Sequence, residues 1–351
     1  MSRADRLEEL LEQRSLDSLL VTGLVNVRYL TGFTGTNGAC LVTREQRLFF
    51  TDFRYVERAR AEVREFERVE AGREMLGDLA GRLQGRAGFD DAQLSVRAYR
   101  RLAQAAPAGV ELVPAGGLVE QLREVKDEHE LHAMRAAAEI ADSAYEQLRE
   151  RGLAGRSERD VAFAMVRHME DRGAEGPSFP PIVAAAQNGA LPHAEPRDAE
   201  IPGGTLVVVD AGARVDGYCS DCTRTFATGP LDDAALEVYE LVHRAQQEAL
   251  VAARAGAGRR EVDGVARQII EQAGHGERFG HGLGHGVGLE IHEDPRLTRT
   301  AEGSLAAGNT VTIEPGVYLP GGFGVRIEDL VAITENGPEL LTGFPKELVT
   351  V

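Results

Sequence analysis

Asp210 closes a run of four apolar residues, Leu206-Val207-Val208-Val209, while Glu314 follows Val311 and Ile313 and Glu328 follows Val325 and Ile327. A carboxylate carried into an apolar interior is costly to keep ionised, so each acid needs a cation, hydrogen-bond donors or a turn that returns it to water. For Asp210 alone, a helix cap or a turn would serve. Three such acids in one half of the chain need more, because Arg326 is the one cation among them and no lysine is near. A metal ion is the remaining source of positive charge, and the chain between the acids points the same way. It reads His281-Gly282-Leu283-Gly284-His285-Gly286-Val287-Gly288-Leu289-Glu290-Ile291-His292-Glu293. Alternating glycines, each costing roughly 1 kcal/mol in a helix relative to alanine, make this extended or irregular chain that approaches something closely. In extended chain His281 and His285 share a face, and histidines beside acid-bearing strands are metal-site chemistry.

The acids also come in pairs. Residues 204–212 align with residues 308–316, Asp210 against Glu314, and each copy is followed after a turn by a second predicted strand with a second carboxylate, Asp221 and Glu328. A duplicated hairpin with two acids per copy predicts a pseudo-twofold site whose halves aim at one centre. Asp210, Asp221, His285, Glu314 and Glu328 are therefore the candidate ligands. Four carboxylates and one imidazole balance two divalent ions, with a bridging hydroxide completing the site. The set is oxygen-rich and has no thiolate, which favours Mn2+, with Co2+ or Zn2+ as alternatives.

Positioning these residues takes a substantial scaffold, and 351 residues suit two domains. Residues 1–122 alternate helical and strand patterns: Leu7, Leu10 and Leu11 give a helical face, residues 18–22, 39–43 and 47–52 read as strands, and the Gly-rich stretch 31–38 as a turn. This is an α/β domain. Turn residues at Pro114-Ala115-Gly116-Gly117 mark its end, and residues 123–351 form the second domain. There, Asp127 and Glu130 have capping-box spacing ahead of a stripe of Leu131, Met134, Ala138, Ala141, Tyr145 and Leu148. Ser157 with Asp160 opens a second helix carrying Val161, Ala164, Met165 and Met169, and further helices are predicted at 232–255 and 261–273.

Composition excludes several functions. No run approaches the ~20 apolar residues that span a bilayer, and Met1-Ser2-Arg3-Ala4-Asp5-Arg6 leads into an amphipathic helix with no signal core. Cys40, Cys219 and Cys222 cannot make a disulfide framework, which fits a reducing, cytoplasmic location. A formal charge of −17 repels phosphate backbones, so neither nucleic acid nor membrane is an expected partner. Cys219 and Cys222 fall on opposite faces of a strand and have no second pair, the glycines at 282–288 fit no nucleotide loop, and no G-x-S-x-G elbow is present. His129, His132, His168, His243 and His275 lack companions at ligand spacing and read as surface or packing residues.

Val209-Asp210-Ala211-Gly212, Ser220-Asp221-Cys222-Thr223-Arg224-Thr225, residues 281–292, Ile313-Glu314-Pro315-Gly316 and Val325-Arg326-Ile327-Glu328-Asp329, in that order, resemble the pita-bread metallopeptidases, which include methionine aminopeptidase, aminopeptidase P and prolidase. The resemblance covers nearly the whole chain, and five linked motifs in one order are highly specific. It implies an α/β (α+β) fold with a creatinase-like N-terminal domain ahead of a pita-bread catalytic domain, and hydrolysis of the Xaa-Pro bond by a metal-bridging hydroxide. It matches Asp210, Asp221, His285, Glu314 and Glu328 to the ligands, and His193 and His292 to the histidines that hydrogen-bond substrate and the tetrahedral intermediate. It makes Glu314 the proton shuttle to the leaving nitrogen and Arg326 the partner that orients the ligand carboxylates. His281 is a further site residue on this match, with a structural role as its alternative.

A proline imide lacks an N–H and fixes φ, so its peptide bond needs a dedicated pocket. Phe179, with Pro180-Pro181, is a candidate wall, and core packing accounts for it equally well. The subtype divides the resemblance. Residues 26–35 and Thr51-Asp52-Phe53-Arg54-Tyr55 look like short bacterial aminopeptidases P, the favoured reading, which release the residue ahead of proline. His292-Glu293-Asp294-Pro295-Arg296 is similar to short prolidases, where an arginine at this place clamps the free carboxylate of a dipeptide; a solvent-facing Arg296 is the alternative. Pita-bread folds also serve as metal-free creatinase-type amidinohydrolases and as binding proteins, but here all five ligand positions hold ligating types. The family further implies a homodimer acting on proline-containing peptides.

Overall fold

Ser2 caps the first helix, α1 (Arg3–Gln13): its hydroxyl accepts from the Asp5 N–H while the Asp5 carboxylate accepts from the Ser2 N–H. Leu7 and Leu11 bury the inner face. The computed structural model describes residues 1–72 and 74–351, which divide into two units, Met1–Arg123 and Glu124–Val351.

In the first unit α1 is followed by β1 (Ser18–Val21), α2 (Leu24–Thr31), β2 (Ala39–Thr43), β3 (Arg47–Thr51), α3 (Val56–Glu62), β4 (Glu67–Glu70), α4 (Met75–Ala80), β5 (Arg86–Phe89), α5 (Val96–Ala105), β6 (Glu111–Pro114) and α6 (Leu118–Arg123). The strands form one sheet in the order β4-β3-β2-β1-β5-β6. The central pairs β1–β2 and β2–β3 are antiparallel and the outer pairs parallel. Leu20, Leu41, Phe50 and Phe89 are among the side chains of its core. The predicted turn at 31–38 starts one residue late, because α2 runs through Thr31 and ends on Gly32 at φ 76°, the left-handed cap that glycine adopts without strain. Strands β4 and β6 escape sequence reading because they lie at the sheet's edges and are mostly exposed, which removes the apolar alternation.

The second unit begins with α7 (Glu128–Arg151) and α8 (Glu158–Asp171). Asp127 and Glu130 cap α7 reciprocally, and the Ser157 hydroxyl caps α8 by accepting from the Asp160 N–H. Strands β7 (Gly176–Pro177) and β8 (Ile182–Ala185) precede the first hairpin copy: β9 (Leu206–Asp210), an inner hairpin of β10 (Ala213–Val215) and β11 (Tyr218–Cys219), and a return strand β12 (Thr223–Ala227). Helices α9 (Asp233–Ala252) and α10 (Arg259–Gln272) and strands β13 (Gly284–Gly286) and β14 (Glu293–Leu297) come next. The second copy repeats the plan: β15 (Thr310–Ile313), inner hairpin β16 (Gly316–Tyr318) and β17 (Gly324–Arg326), return strand β18 (Asp329–Thr334), and a final strand β19 (Gly337–Leu340). Return strands pair antiparallel with outgoing ones, Asp210 opposite Thr223 and Ile313 opposite Asp329. Tyr145, Met165, Val183, Val209 and Phe226 share one core, binding α7 and α8 to the first copy; Val242, Ile270, Val311, Ile313 and Val331 share another, binding α9 and α10 to the second.

The duplicated hairpin differs from its sequence reading in one respect. Asp221 and Glu328 do not sit on strands. Asp221 lies in the break between β11 and β12, and Glu328 in the break between β17 and β18. A residue in a regular strand must take one face or the other, whereas a break frees both acids to turn toward the same centre as Asp210 and Glu314. The glycines of the His-rich segment do mark close approach: a Cβ on Gly284 would lie 1.9 Å from the Thr312 carbonyl oxygen of β15. Among the described residues no helix is long and apolar enough to cross a membrane.

Candidate metal centre

Each acid stands at a junction of the repeat. Asp210 ends β9 and Glu314 follows β15, just before each inner hairpin, while Asp221 and Glu328 follow the inner hairpins. His285 comes from β13, which pairs with β15. All five side chains line one cavity of about 460 Å3. Ligand atoms of Asp221, His285 and Glu328 lie within 4.8 Å of one another. His285 Nε2 is 3.6 Å from Asp221 Oδ2 and 3.3 Å from Glu314 Oε1. Its Nδ1–H donates to the Gly286 carbonyl at 3.0 Å, which leaves the Nε2 lone pair facing the carboxylates.

The acids repel one another. Burial, and then the neighbouring carboxylates, push the pKa values of Asp221 and Glu328 well above the usual range. Burial raises Glu314 to about 7 against the pull of Arg326, and raises Asp210 as well. Burial also drives His285 down to about 3, so the imidazole is neutral and able to ligate. Among the described residues, one guanidinium, Arg326, is hydrogen-bonded to a side-chain carboxylate of the cluster, by Nη2 to Asp210 Oδ2 at 2.5 Å, and the buried Asp210 Oδ1 has no hydrogen-bond partner. Four gathered carboxylates, one of them with an oxygen left unpartnered, and a neutral imidazole lone pair are a donor set suited to hard divalent cations.

Around this set lies a hydrogen-bonded frame. Arg326 Nε donates to Thr223 Oγ1 at 3.0 Å, and Thr223 Oγ1 donates to Glu328 Oε2 at 2.6 Å. Arg326 Nη1 donates to the Pro192 carbonyl and to the Tyr318 hydroxyl, which is 3.1 Å from His281 Nε2. His281 keeps its Nδ1–H on the Gly282 carbonyl, and burial lowers its pKa to about 4. On α10 the buried pair Asp263 and Arg267 holds this segment from behind, Arg267 donating to the Phe279 and His281 carbonyls and Asp263 accepting from the Leu283 N–H. Tyr318, Thr223, Asp263 and Arg267 were not picked out from sequence; Tyr318 alone had a signal, four residues beyond Glu314 at the end of the first strand of the second inner hairpin.

The other predicted site residues line the same cavity: Phe179, His193, His281, His292, Arg296 and Arg326. The His292 and His285 rings meet edge to face at 4.4 Å, and burial lowers the His292 pKa. Burial alternates along β14, with Glu293, Pro295 and Leu297 buried and Asp294 and Arg296 exposed, and after burial the charge of Arg296 is the next cause lowering the His292 pKa, which places the guanidinium near that ring. The strand is pinned by the buried pair of Lys126 with Glu293. His193 rides on a loop held by the buried Glu158 of α8, whose carboxylate accepts from the Ala185 N–H, Asn188 Nδ2 and the Arg197 N–H, Nε and Nη2.

Known proteins share this fold. Residues 132–335 match the model of metallopeptidase family M24, and residues 3–125 that of the creatinase/prolidase N-terminal domain. The chain is 35% identical over 353 residues to an Xaa-Pro dipeptidase of Pyrococcus furiosus, covering 99% of both. Its structure is similar to an Xaa-Pro dipeptidase from Bacillus anthracis, with a TM-score of 0.96, 38% identity and 99% of each chain covered. It is also similar to an X-Pro aminopeptidase from Thermotoga maritima, with a TM-score of 0.91, 34% identity and all of both chains covered. Paired carboxylates at the junctions of a duplicated hairpin, behind a creatinase-like α/β unit, thus have their explanation in descent: the chain belongs to metallopeptidase family M24 and has its pita-bread fold.

Proposed function

We propose that the chain is a two-metal Xaa-Pro dipeptidase, in which Asp210, Asp221, His285, Glu314 and Glu328 hold the ions and Arg296 holds the carboxylate of the substrate. The observation that carries the dipeptidase reading is Arg296. Its guanidinium lines the cavity on the side of His292 and lies near enough to help hold down the pKa values of His285, His292 and Glu314. Among the described residues it makes no hydrogen bond or ion pair, so it is available to a planar anion. A dipeptide ending in proline brings such an anion one residue beyond the scissile bond, and a longer peptide does not. The dipeptidases of Pyrococcus furiosus and Bacillus anthracis support the same reading by their similarity.

Divalent cations in this centre supply Lewis acidity and a nucleophilic water near neutral pH. The chain supplies the rest. His193 and His292 hydrogen-bond the substrate and the charge that develops on the carbonyl oxygen. Hydrolysis places a hydroxyl on the carbonyl carbon, and the proline nitrogen leaves with one proton, which Glu314 delivers. Arg326 keeps Asp210 aligned, and through Thr223 keeps Glu328 aligned, while Phe179 walls the proline ring. Manganese as the metal and a homodimer as the assembly belong to the same reading.

Kinetics of manganese-loaded enzyme on Xaa-Pro and Xaa-Pro-Yaa peptides test it. The dipeptides are cut in preference, and Arg296→Ala lowers kcat/KM on them roughly 10- to 100-fold, the effect of losing a hydrogen-bonded charge. Efficient release of the first residue from Xaa-Pro-Yaa, indifferent to Arg296→Ala, would instead establish an aminopeptidase P, the activity named for the Thermotoga maritima protein.

A further inference from the structure

Arg296 is not the only charged side chain in the cavity left without a described hydrogen bond or ion pair. Glu195 lines it too, and is exposed where the metal-site carboxylates are mostly buried. His193 and Glu195 are both exposed and both line the cavity, with the buried Ala194 between them. The backbone presenting Glu195 is fixed on both flanks. Asn188 Nδ2 donates to the Glu195 carbonyl at 3.1 Å, and Arg197 is tied to the buried Glu158 by its N–H and its guanidinium. Glu195 thus brings to the cavity an exposed carboxylate on a fixed backbone, with no hydrogen bond or ion pair among the described residues.

We propose that Glu195 selects a cationic side chain on the residue preceding proline, which makes Lys-Pro and Arg-Pro the preferred dipeptides; the proposal rests on the dipeptidase reading above. Every dipeptide carries a second cation, its α-ammonium, but geometry separates the two. The α-nitrogen lies two covalent bonds from the scissile carbonyl carbon, roughly 2.5 Å. It must therefore stay with that carbon at the buried metal centre, away from the exposed carboxylate of Glu195. An exposed carboxylate lining the same cavity is matched instead by a long cationic side chain, the four-carbon stem of lysine or the guanidinium of arginine. The stem has apolar company on the way, because Pro180, Ile182 and Ile291 line the same cavity.

The test compares kcat/KM for Lys-Pro, Arg-Pro and the neutral Met-Pro in the manganese-loaded wild type, Glu195→Gln and Glu195→Lys. An exposed ion pair contributes modestly, so Glu195→Gln is expected to lower the Lys-Pro to Met-Pro ratio about two- to fivefold. Glu195→Lys lowers it further and raises the relative rate on Glu-Pro, and added salt narrows the wild-type ratio. The same ratio in all three proteins overturns the proposal. So does an equal loss on every dipeptide, which would place the α-ammonium at Glu195. Wild-type enzyme that cuts none of the dipeptides overturns the dipeptidase reading itself and takes this proposal with it.

Discussion

The hydroxyl of Thr223 accepts from Arg326 Nε and donates to Glu328 Oε2, so it joins the guanidinium that steadies Asp210 of the first hairpin copy to an acid of the second. Thr223→Val keeps the shape and removes both bonds. In the proposed centre this frees Glu328 to rotate, and manganese affinity falls roughly 10- to 100-fold, the usual effect of losing a partner behind a ligand; titration calorimetry of metal-free protein checks it. Residues such as this mark the limit of sequence reading. Asp210, Glu314 and Glu328 were legible because an acid at the end of an apolar run has to be accounted for, and His285 because alternate glycines demanded a reason. A threonine in a strand demands none: its β-branched side chain is ordinary there, and only the fold shows which oxygen it faces.

At the scale of elements, the loop that carries His193 buries small apolar side chains, Ala190 and Ala194, and a single carboxylate at the start of α8 adds to their hold. Glu158 is 1% exposed and gathers the backbone and side-chain donors of Ala185, Asn188 and Arg197. Glu158→Ala leaves those donors unsatisfied and is expected to cost about 2–4 kcal/mol. Chemical denaturation measures that cost, and limited proteolysis should cut within 186–197 sooner than in the wild type. The helices were readable here because capping and periodicity are local signals: Asp127 with Glu130, and Ser157 with Asp160, start α7 and α8 where their spacing predicts. Strand breaks are not local in that sense. The junctions at Asp221 and Glu328 exist because the return strands must pair with β9 and β15, a constraint that sequence alternation does not carry.

For the whole molecule, the gathered acids make stability depend on pH when no metal is bound. A carboxyl whose pKa is raised on folding favours the native state while protonated and loses that advantage as pH rises from its ordinary value through its folded one. A histidine whose pKa is lowered acts in the opposite sense, but only below about 6.5, since above it the ring is neutral folded or unfolded. His281, His285 and His292 therefore offset the acids under mildly acidic conditions. Above 6.5 Glu314, Asp221 and Glu328 are left unopposed. The metal-free protein should lose stability as pH rises from 6.5, at about 1.4 kcal/mol per pH unit for each carboxyl still protonated. Thermal melts in a chelator should show that slope, and excess manganese should flatten it. The two-copy architecture has one more effect. Asp221 and Glu328 lie about a hundred residues apart in the chain, so in the proposed centre an ion gripped by both would act as a removable crosslink closing a long loop. While it stays, the two copies cannot part without expelling it. Once it leaves, opening becomes frequent enough for a protease to catch, and scarcity of the metal is registered as a shorter lifetime of the polypeptide well before its fold is lost.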